Sequence, residues 1–167
     1  MSTPARPRPT PANWLWRDGP VSGEAVIFDL DGVLSDAVGR QHLLEYPRRD
    51  WRAFFEAVGD DPVIEEVGTL LHALDERYAI VLLTARPLHI QPHTVDWLTR
   101  NDLRWDLLVM RDVGDYDMAF DFKGRTVGEL RDAHIDPKLA FEDDQRNVAV
   151  LRHLGVPCVY IHSGYYD

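Results

Sequence analysis

The chain has 167 residues, 45% of them hydrophobic, which is typical of one folded domain with a full core. Its net charge of −10 repels nucleic acid at long range and excludes a general duplex-binding domain, although it permits a local basic pocket. No apolar segment approaches the roughly 20 residues needed to span a bilayer, and the N-terminus lacks the pattern of a secretory signal. We therefore expect a cytoplasmic protein that does not bind a membrane.

Residues 1–20 are predicted to form a disordered or docked arm, followed by one domain over residues 21–167. The arm holds five of the eleven prolines, a composition that disfavours a packed core. It also contains Trp14 and Trp16, an aromatic pair that favours docking onto the domain surface over ligand binding. The single cysteine, Cys158, lies in a later apolar run and is interpreted as a buried strand residue.

The first predicted strand, an apolar run from Ala25 to Phe28, ends in two carboxylates, Asp29 and Asp31. Gly32 follows them and indicates that the backbone turns there. Two carboxylates a few Å apart cannot both ionise cheaply without a cation. The pair therefore predicts either a bound divalent metal or a shared proton.

Helical and strand patterns alternate along the rest of the chain. A short amphipathic helix is predicted over residues 50–58, and a longer one extends from Asp61, as its N-cap, to about residue 77. Later predicted strands cover residues 79–84, 107–110, 139–141 and 158–161, and later predicted helices cover residues 92–101, 124–133 and 145–154. This alternation predicts an α/β fold, a Rossmann-like three-layer sandwich around a five-stranded parallel sheet.

Polar residues cluster at the carboxyl ends of three of these strands, where ligands bind in such folds. The residues concerned are Asp29, Asp31, Thr84, Asp143 and Asp144. Polar residues scattered at random among the loops would not converge in this way. We therefore expect one functional site at this edge of the sheet.

The motifs around these residues resemble those of the haloacid dehalogenase-like superfamily of phosphotransferases. The matching stretches are Asp29-Leu30-Asp31-Gly32-Val33-Leu34, Thr84, Lys123 and Glu142-Asp143-Asp144, within roughly residues 24–164. The resemblance implies a phosphatase in which Asp29 is the nucleophile and forms an aspartyl-phosphate. It also implies that Asp31 protonates the leaving alcohol, which requires its pKa to lie above that of Asp29.

The same resemblance implies roles for the remaining motif residues. Thr84 would donate a hydrogen bond to a phosphoryl oxygen, and Lys123 would neutralise charge in the transition state. Mg²⁺ is the implied cofactor, with Asp29, Asp31, Asp143 and Asp144 as the candidate metal ligands. Whether Asp144 shares this duty with Asp143 or orients Lys123 is left open.

Within the superfamily, the chain is similar to the 3′-phosphatase domain of bifunctional polynucleotide kinases. The similarity lies in Thr84-Ala85-Arg86, in Asp143-Asp144 with Val148, and in the Asp50-Trp51 pair. It implies that Arg40 and Arg86 hold the phosphate, for which a guanidinium offers two parallel donors. No Gly-x-x-x-x-Gly-Lys-Ser/Thr sequence occurs, so we expect a free-standing phosphatase, and a separate kinase or ligase partner is left open.

The spacing of the motifs leaves room for no more than a minimal cap over the site. An open site favours a phosphate at the end of a large substrate over a small metabolite that must be enclosed. Residues 46–51 have two interpretations. They form a partial lid that contacts a nucleotide and stacks on a base, or a solvated helix start with Trp51 in the core.

Three functions are compatible with these patterns. The first is hydrolysis of 3′-phosphates on nucleic acids or nucleotides. The second is hydrolysis of another phosphomonoester, on a phosphoprotein or a small metabolite. The third is a non-catalytic module that binds nucleic-acid ends with the same fold, against which the complete set of motif residues argues.

Overall fold

Six strands form one sheet in a computed structural model that describes residues 9–167. The strands are β1 (Trp14–Trp16), β2 (Gly23–Phe28), β3 (Ala79–Pro87), β4 (Leu107–Arg111), β5 (Ile135–Glu142) and β6 (Cys158–Tyr160), in the spatial order β1-β4-β3-β2-β5-β6. β2 to β6 pair in parallel, and β1 pairs with β4 in antiparallel orientation. The predicted α/β class with five parallel strands is confirmed, and β1 adds a sixth strand.

The described residues form five α-helices around the sheet. They are α1 (Trp51–Glu56), α2 (Glu65–Ala73), α3 (Gln91–Arg100), α4 (Ala119–Asp132) and α5 (Gln145–His153). Successive strand residues point to opposite faces, so Ile80 and Leu82 pack with the α2–α3 side and Val81 and Leu83 pack with the α4–α5 side. The predicted three-layer arrangement follows from this alternation.

Two helix boundaries differ from those predicted. The second helix covers Glu65–Ala73. It begins later than predicted because the Asp61 carboxylate accepts hydrogen bonds from Arg40 and Ser35 instead of capping the helix. Helix α4 begins at Ala119, five residues before the predicted start at residue 124. Lys123 therefore lies within a helix and not in the loop before it.

The edge strand β1 comes from the predicted N-terminal arm. Trp14 is buried in the α4–α5 core, and Trp16 packs against it with 6.0 Å between ring centroids. Pairing with β1 covers the otherwise free edge of β4. The part of the arm prediction that concerns residues 1–8 lies outside the described residues.

The connections place the candidate site residues at one edge of the sheet. β3, β2 and β5 are neighbours, so Thr84, Asp29 and Asp143 lie at the carboxyl ends of adjacent parallel strands. The link between β2 and β3 consists of α1, α2 and the 3₁₀ segments Ala37–Leu44 and Val58–Asp60, in agreement with a minimal cap. Cys158 is buried at the start of β6, as predicted. Within residues 9–167, none of the helices is long and apolar enough to pass through a bilayer.

Candidate active site

The carboxylate of Asp29 is held at the end of β2 by Lys123 from α4. The Lys123 Nζ atom lies 3.0 Å from Oδ2 of Asp29 and 2.6 Å from Oε2 of Glu142, and all three residues are buried. The backbone N–H of Leu30 donates to Oδ1 of Asp29 over 2.7 Å. Glu142, and not Asp144, therefore orients Lys123. Sequence reasoning gave Glu142 no role, although it directly precedes the Asp143-Asp144 pair.

The charges in this group shift each other's pKa. Burial and the neighbouring Glu142 carboxylate raise the pKa of Asp29 well above its usual value. Burial disfavours the Lys123 ammonium, but the Asp29 and Glu142 carboxylates outweigh it and raise the pKa of Lys123. Lys123 is therefore positively charged at every pH at which the protein is expected to work.

Asp143 is the clearest candidate metal ligand. Both of its carboxylate oxygens are buried, and neither accepts a hydrogen bond of normal geometry from the residues that the structure describes, although the nearby Ser163 side chain acts to lower the pKa of this carboxyl. Burial and the nearby Asp29 charge raise its pKa to about 7. One oxygen each from Asp29, Glu142 and Asp143 lie within 4.8 Å of one another. A hard divalent cation such as Mg²⁺ fits this all-oxygen set and would supply the missing partner of Asp143.

The other two predicted metal ligands, Asp31 and Asp144, form ion pairs in the structure. Asp144 caps α5 by accepting from the Arg146 backbone N–H over 2.9 Å, and its Oδ2 lies 2.8 Å from Arg146 Nη2. The Arg146 contacts outweigh the effect of burial and lower the pKa of Asp144. The geometry therefore favours Asp143 over Asp144 as the direct ligand.

Gly32 allows the loop after β2 to approach Asp143 closely. Its φ of +81° lies in the left-handed region, which favours glycine. A Cβ atom at this position would collide with Oδ2 of Asp143 and come within 3.0 Å of Ser163 Cβ. The space beside the Asp143 carboxylate therefore exists only because residue 32 has no side chain.

Asp31 is held by the two arginines that the sequence resemblance assigns to the phosphate. Nη2 of Arg40 and Nη2 of Arg86 each lie 2.5 Å from Oδ1 of Asp31. Burial works against the charge on Asp31, but the Arg86 and Arg40 guanidiniums outweigh it and lower its pKa. The expected order, with the pKa of Asp31 above that of Asp29, is therefore reversed by these contacts. The sequence could not show that both arginines contact this carboxylate.

Both arginines are supported from behind by polar groups. Asp61 accepts from Arg40 Nε over 2.9 Å and from Arg40 Nη2 over 2.7 Å. Arg86 Nη2 lies 3.1 Å from Ser35 Oγ, which in turn lies 2.5 Å from Asp61 Oδ2. Asp61 is a functional candidate that sequence reasoning missed, because an acid followed by proline at the start of a helical pattern is typical of a cap.

A cleft of about 1410 Å³ opens at this edge of the sheet, and Arg86 but not the buried Arg40 lines it. Its lining includes Asp29, Asp31, Thr84, Arg86, Lys123 and Asp144, together with Arg49, Trp51 and Tyr166. Thr84 is buried at the floor, and its hydroxyl accepts from the backbone N–H of Arg86 over 3.2 Å. Trp51 is 50% exposed, so it does not lie in the core, and Phe54 fills the buried position beside it.

Comparisons with known proteins extend this geometric description. Residues 23–166 match the family model described as the polynucleotide kinase PNKP phosphatase domain. A comparison with curated proteins found no match.

Solved structures with the same fold agree with that match. A chain in a structure of the Pnkp1/Rnl/Hen1 complex is 27% identical, with a TM-score of 0.69, and the match covers 84% of this chain and 46% of that one. A chain in the Pnkp1/Rnl/Hen1 RNA repair complex is 24% identical, with a TM-score of 0.69, and the match covers 92% and 47% respectively.

A class C acid phosphatase from Bacillus anthracis with tungstate bound is 15% identical, with a TM-score of 0.61, covering 89% of this chain and 70% of that one. The second and third structures, at 24% and 15% identity, show the fold alone. The chain spans just under half the length of the two Pnkp1 complex chains. Because the family model matches most of its residues, the chain belongs to the family of polynucleotide kinase PNKP phosphatase domains, and it is a phosphatase with the haloacid dehalogenase-like fold.

Proposed function

We propose that the chain is a Mg²⁺-dependent phosphomonoester hydrolase that removes 3′-phosphates from nucleic acids or nucleotides through an aspartyl-phosphate. The observation that carries this proposal is the buried, unpartnered carboxylate of Asp143 beside Asp29 and the ammonium of Lys123. Family membership supports the 3′-phosphate as the substrate. The Pnkp1/Rnl/Hen1 complex of the 27% identical relative supports a separate kinase or ligase partner. The cytoplasmic location stays a prediction.

In the first step, an oxygen of Asp29 attacks the phosphorus atom. A new O–P bond forms, the bond to the 3′ oxygen breaks, and Asp31 gives its proton to the leaving alkoxide. A phosphate dianion between Arg40 and Arg86 competes with Asp31 for both guanidiniums. Binding of substrate thereby weakens the contacts that lower the pKa of Asp31, and favours its protonated form.

In the second step, Asp31 takes a proton from a water molecule that attacks the phosphorus atom. The O–P bond to Asp29 breaks, phosphate leaves, and both carboxylates return to their starting state. Lys123, Arg40, Arg86 and the Thr84 hydroxyl stabilise the negative charge of the phosphoryl group in both steps. When bound by Asp29, Glu142 and Asp143, Mg²⁺ would offset the repulsion between the phosphate and these carboxylates.

A substrate panel tests the proposal. Phosphate release is measured with and without Mg²⁺ from a 3′-phosphorylated oligonucleotide, a 3′-mononucleotide, a phosphopeptide and a sugar phosphate. We expect Mg²⁺-dependent release with the highest kcat/KM for the oligonucleotide. A preference for the phosphopeptide or the sugar phosphate would support the second function and overturn the nucleic-acid assignment.

The Asp29→Asn variant separates the mechanism from the substrate choice. Asparagine keeps the volume of the side chain but cannot form the phosphoenzyme, so turnover of every substrate in the panel should be abolished. Unchanged thermal unfolding would show that the fold is intact. Activity near that of the wild type on any phosphomonoester would refute the aspartyl-phosphate mechanism.

A further inference from the structure

Trp51 is an unusually exposed aromatic residue in the wall of the catalytic cleft. Half of its surface is accessible, although tryptophan is usually highly buried. Its position is nevertheless well supported, since Asp50 caps the first turn of α1 by accepting from the Ala53 backbone N–H over 2.9 Å. Its ring stacks on Phe55, with 5.9 Å between centroids and an interplanar angle of 27°. Packing in the hydrophobic core therefore does not account for a half-exposed tryptophan at this position.

The Trp51 ring lies one aromatic residue away from Arg40, one of the two arginines that contact Asp31. The buried Phe54 ring packs edge-on against Trp51 at 5.9 Å between centroids. The Arg40 guanidinium packs over the same Phe54 ring, with its Cζ atom 4.2 Å from the ring centroid. Arg40 Nη1 also donates to the Phe54 carbonyl oxygen over 3.2 Å. Arg40 itself is buried, but Arg86, Lys123 and Trp51 line one cleft, so a nucleoside attached to a phosphate at Arg86 and Lys123 enters the cleft that Trp51 walls.

A charged residue stands beside this aromatic surface. Arg49 is exposed, lines the same cleft, and forms no ion pair with a residue that the structure describes. In a chain with a net charge of −10, a free guanidinium at the mouth of the catalytic cleft is suited to an anionic ligand. It can contact a second phosphate next to the one that is hydrolysed.

We propose that the exposed face of the Trp51 ring, supported from behind by Phe55, forms a platform on which the base of the terminal, 3′-phosphorylated nucleoside stacks. Arg49 contacts the preceding phosphate of the same strand. This inference rests on the function proposed above and narrows its substrate to 3′ ends whose terminal sugar carries a base. A phosphopeptide or a sugar phosphate has no flat base for such a platform, so the platform selects against both.

The test compares substrates that differ only in the terminal base. One is a 3′-phosphorylated single-stranded oligonucleotide, and the other carries an abasic sugar at the 3′-phosphorylated position. For Trp51→Ala we expect kcat/KM to fall on the order of 10- to 100-fold on the first substrate and to stay near the wild-type value on the second. Trp51→Phe keeps a ring and should retain most of the activity. Tyr160→Ala removes an exposed aromatic residue outside the cleft and should have no effect.

Binding measurements test whether a base stacks on the platform independently of catalysis. In the inactive Asp29→Asn protein, adding Trp51→Ala should raise the Kd for the base-bearing oligonucleotide at least 10-fold more than for the abasic one. Equal losses on both substrates, or no loss on either, would overturn the platform even if the wild type is a 3′-phosphatase. If the wild type releases no 3′-phosphate, the proposed function fails, and the Kd values still decide whether Trp51 stacks on a base.

Discussion

At the scale of single residues, Asp61 shows how a side chain outside the motifs can orient Arg40, to which the proposed mechanism assigns the phosphate. Asp61 is buried, and its carboxylate accepts from the Nε and Nη2 atoms of Arg40. The Asp61 carbonyl oxygen accepts from the Trp97 indole N–H over 2.8 Å, which fixes its backbone. A guanidinium held along one edge in this way presents its remaining donors in a fixed direction. In the proposed mechanism, Asp61 therefore acts on the phosphate through Arg40.

We expect Asp61→Asn to weaken substrate binding more than the chemical step. The amide keeps the shape of the side chain but loses the charge that fixes Arg40, so KM for a 3′-phosphorylated oligonucleotide should rise at least about 10-fold. The free energy of unfolding should fall by about 1–3 kcal/mol, the range for hydrogen bonds to charged groups. Steady-state kinetics and denaturant unfolding measure the two effects.

Asp60→Asn is the matched control for this variant, because Asp60 is the exposed neighbour of Asp61. It should leave both KM and the unfolding free energy unchanged. If Asp61→Asn lowered the unfolding free energy but left KM at the wild-type value, Asp61 would be a structural residue without influence on the phosphate site.

At the scale of elements, the hydrophobic pattern of the sequence was sufficient to predict those strands whose burial determines their structure. The apolar run that ends at Phe28 and the one at residues 79–84 are buried parallel strands in the structure, because both of their faces are covered by helices. The hydrophobic pattern did not predict β1, because that strand forms only through its pairing with β4. Trp14–Trp16 pairs with β4 through backbone hydrogen bonds, and a proline-rich segment gives no sign of such a partner.

The edge strand β1 should contribute to stability mainly through Trp14. We expect Trp14→Ala to lower the free energy of unfolding by about 3–5 kcal/mol, because it leaves a cavity in the α4–α5 core. Trp14→Phe should cost less, since it keeps a ring and removes an indole Nε1 that is buried without a hydrogen-bond partner among the described residues. Denaturant unfolding curves measure both values. Equal losses for the two variants would contradict this account of β1.

At the scale of the whole molecule, the sheet brings together residues that are far apart in the sequence. The convergence of Asp29, Thr84 and Asp143 was predictable, because the carboxyl ends of parallel strands meet at one edge. The order of the pKa values was not predictable. It depends on Arg86 reaching Asp31 across 55 positions, and on Glu142 lying beside Lys123. Contacts of this kind depend on side-chain packing between distant residues, which the hydrophobic pattern of a sequence does not indicate.

The buried acidic cluster should make the stability of the metal-free protein fall as the pH rises. The folded-state pKa of Asp143 is about 7, against an ordinary value of 3.8, so the folded state binds a proton more tightly than the unfolded state. The resulting stabilisation is fully present below about pH 4 and is lost as the pH rises to about 7. Asp29 shifts in the same direction. Relative to the wild type, Asp143→Asn should therefore show a smaller fall in Tm between pH 5 and pH 8.

Mg²⁺ should reverse this loss, because it binds the deprotonated carboxylates of the folded state. Its binding competes with the proton on Asp143, so Mg²⁺ should raise Tm clearly at pH 8 and hardly at pH 5. Asp144→Asn is the matched control, since Asp144 is paired with Arg146, and this variant should keep the Mg²⁺ effect at pH 8. Asp143→Asn should lose most of it. If thermal unfolding gave the same Mg²⁺ shift for Asp143→Asn as for the wild type, the cation would bind elsewhere and Asp143 would need another partner.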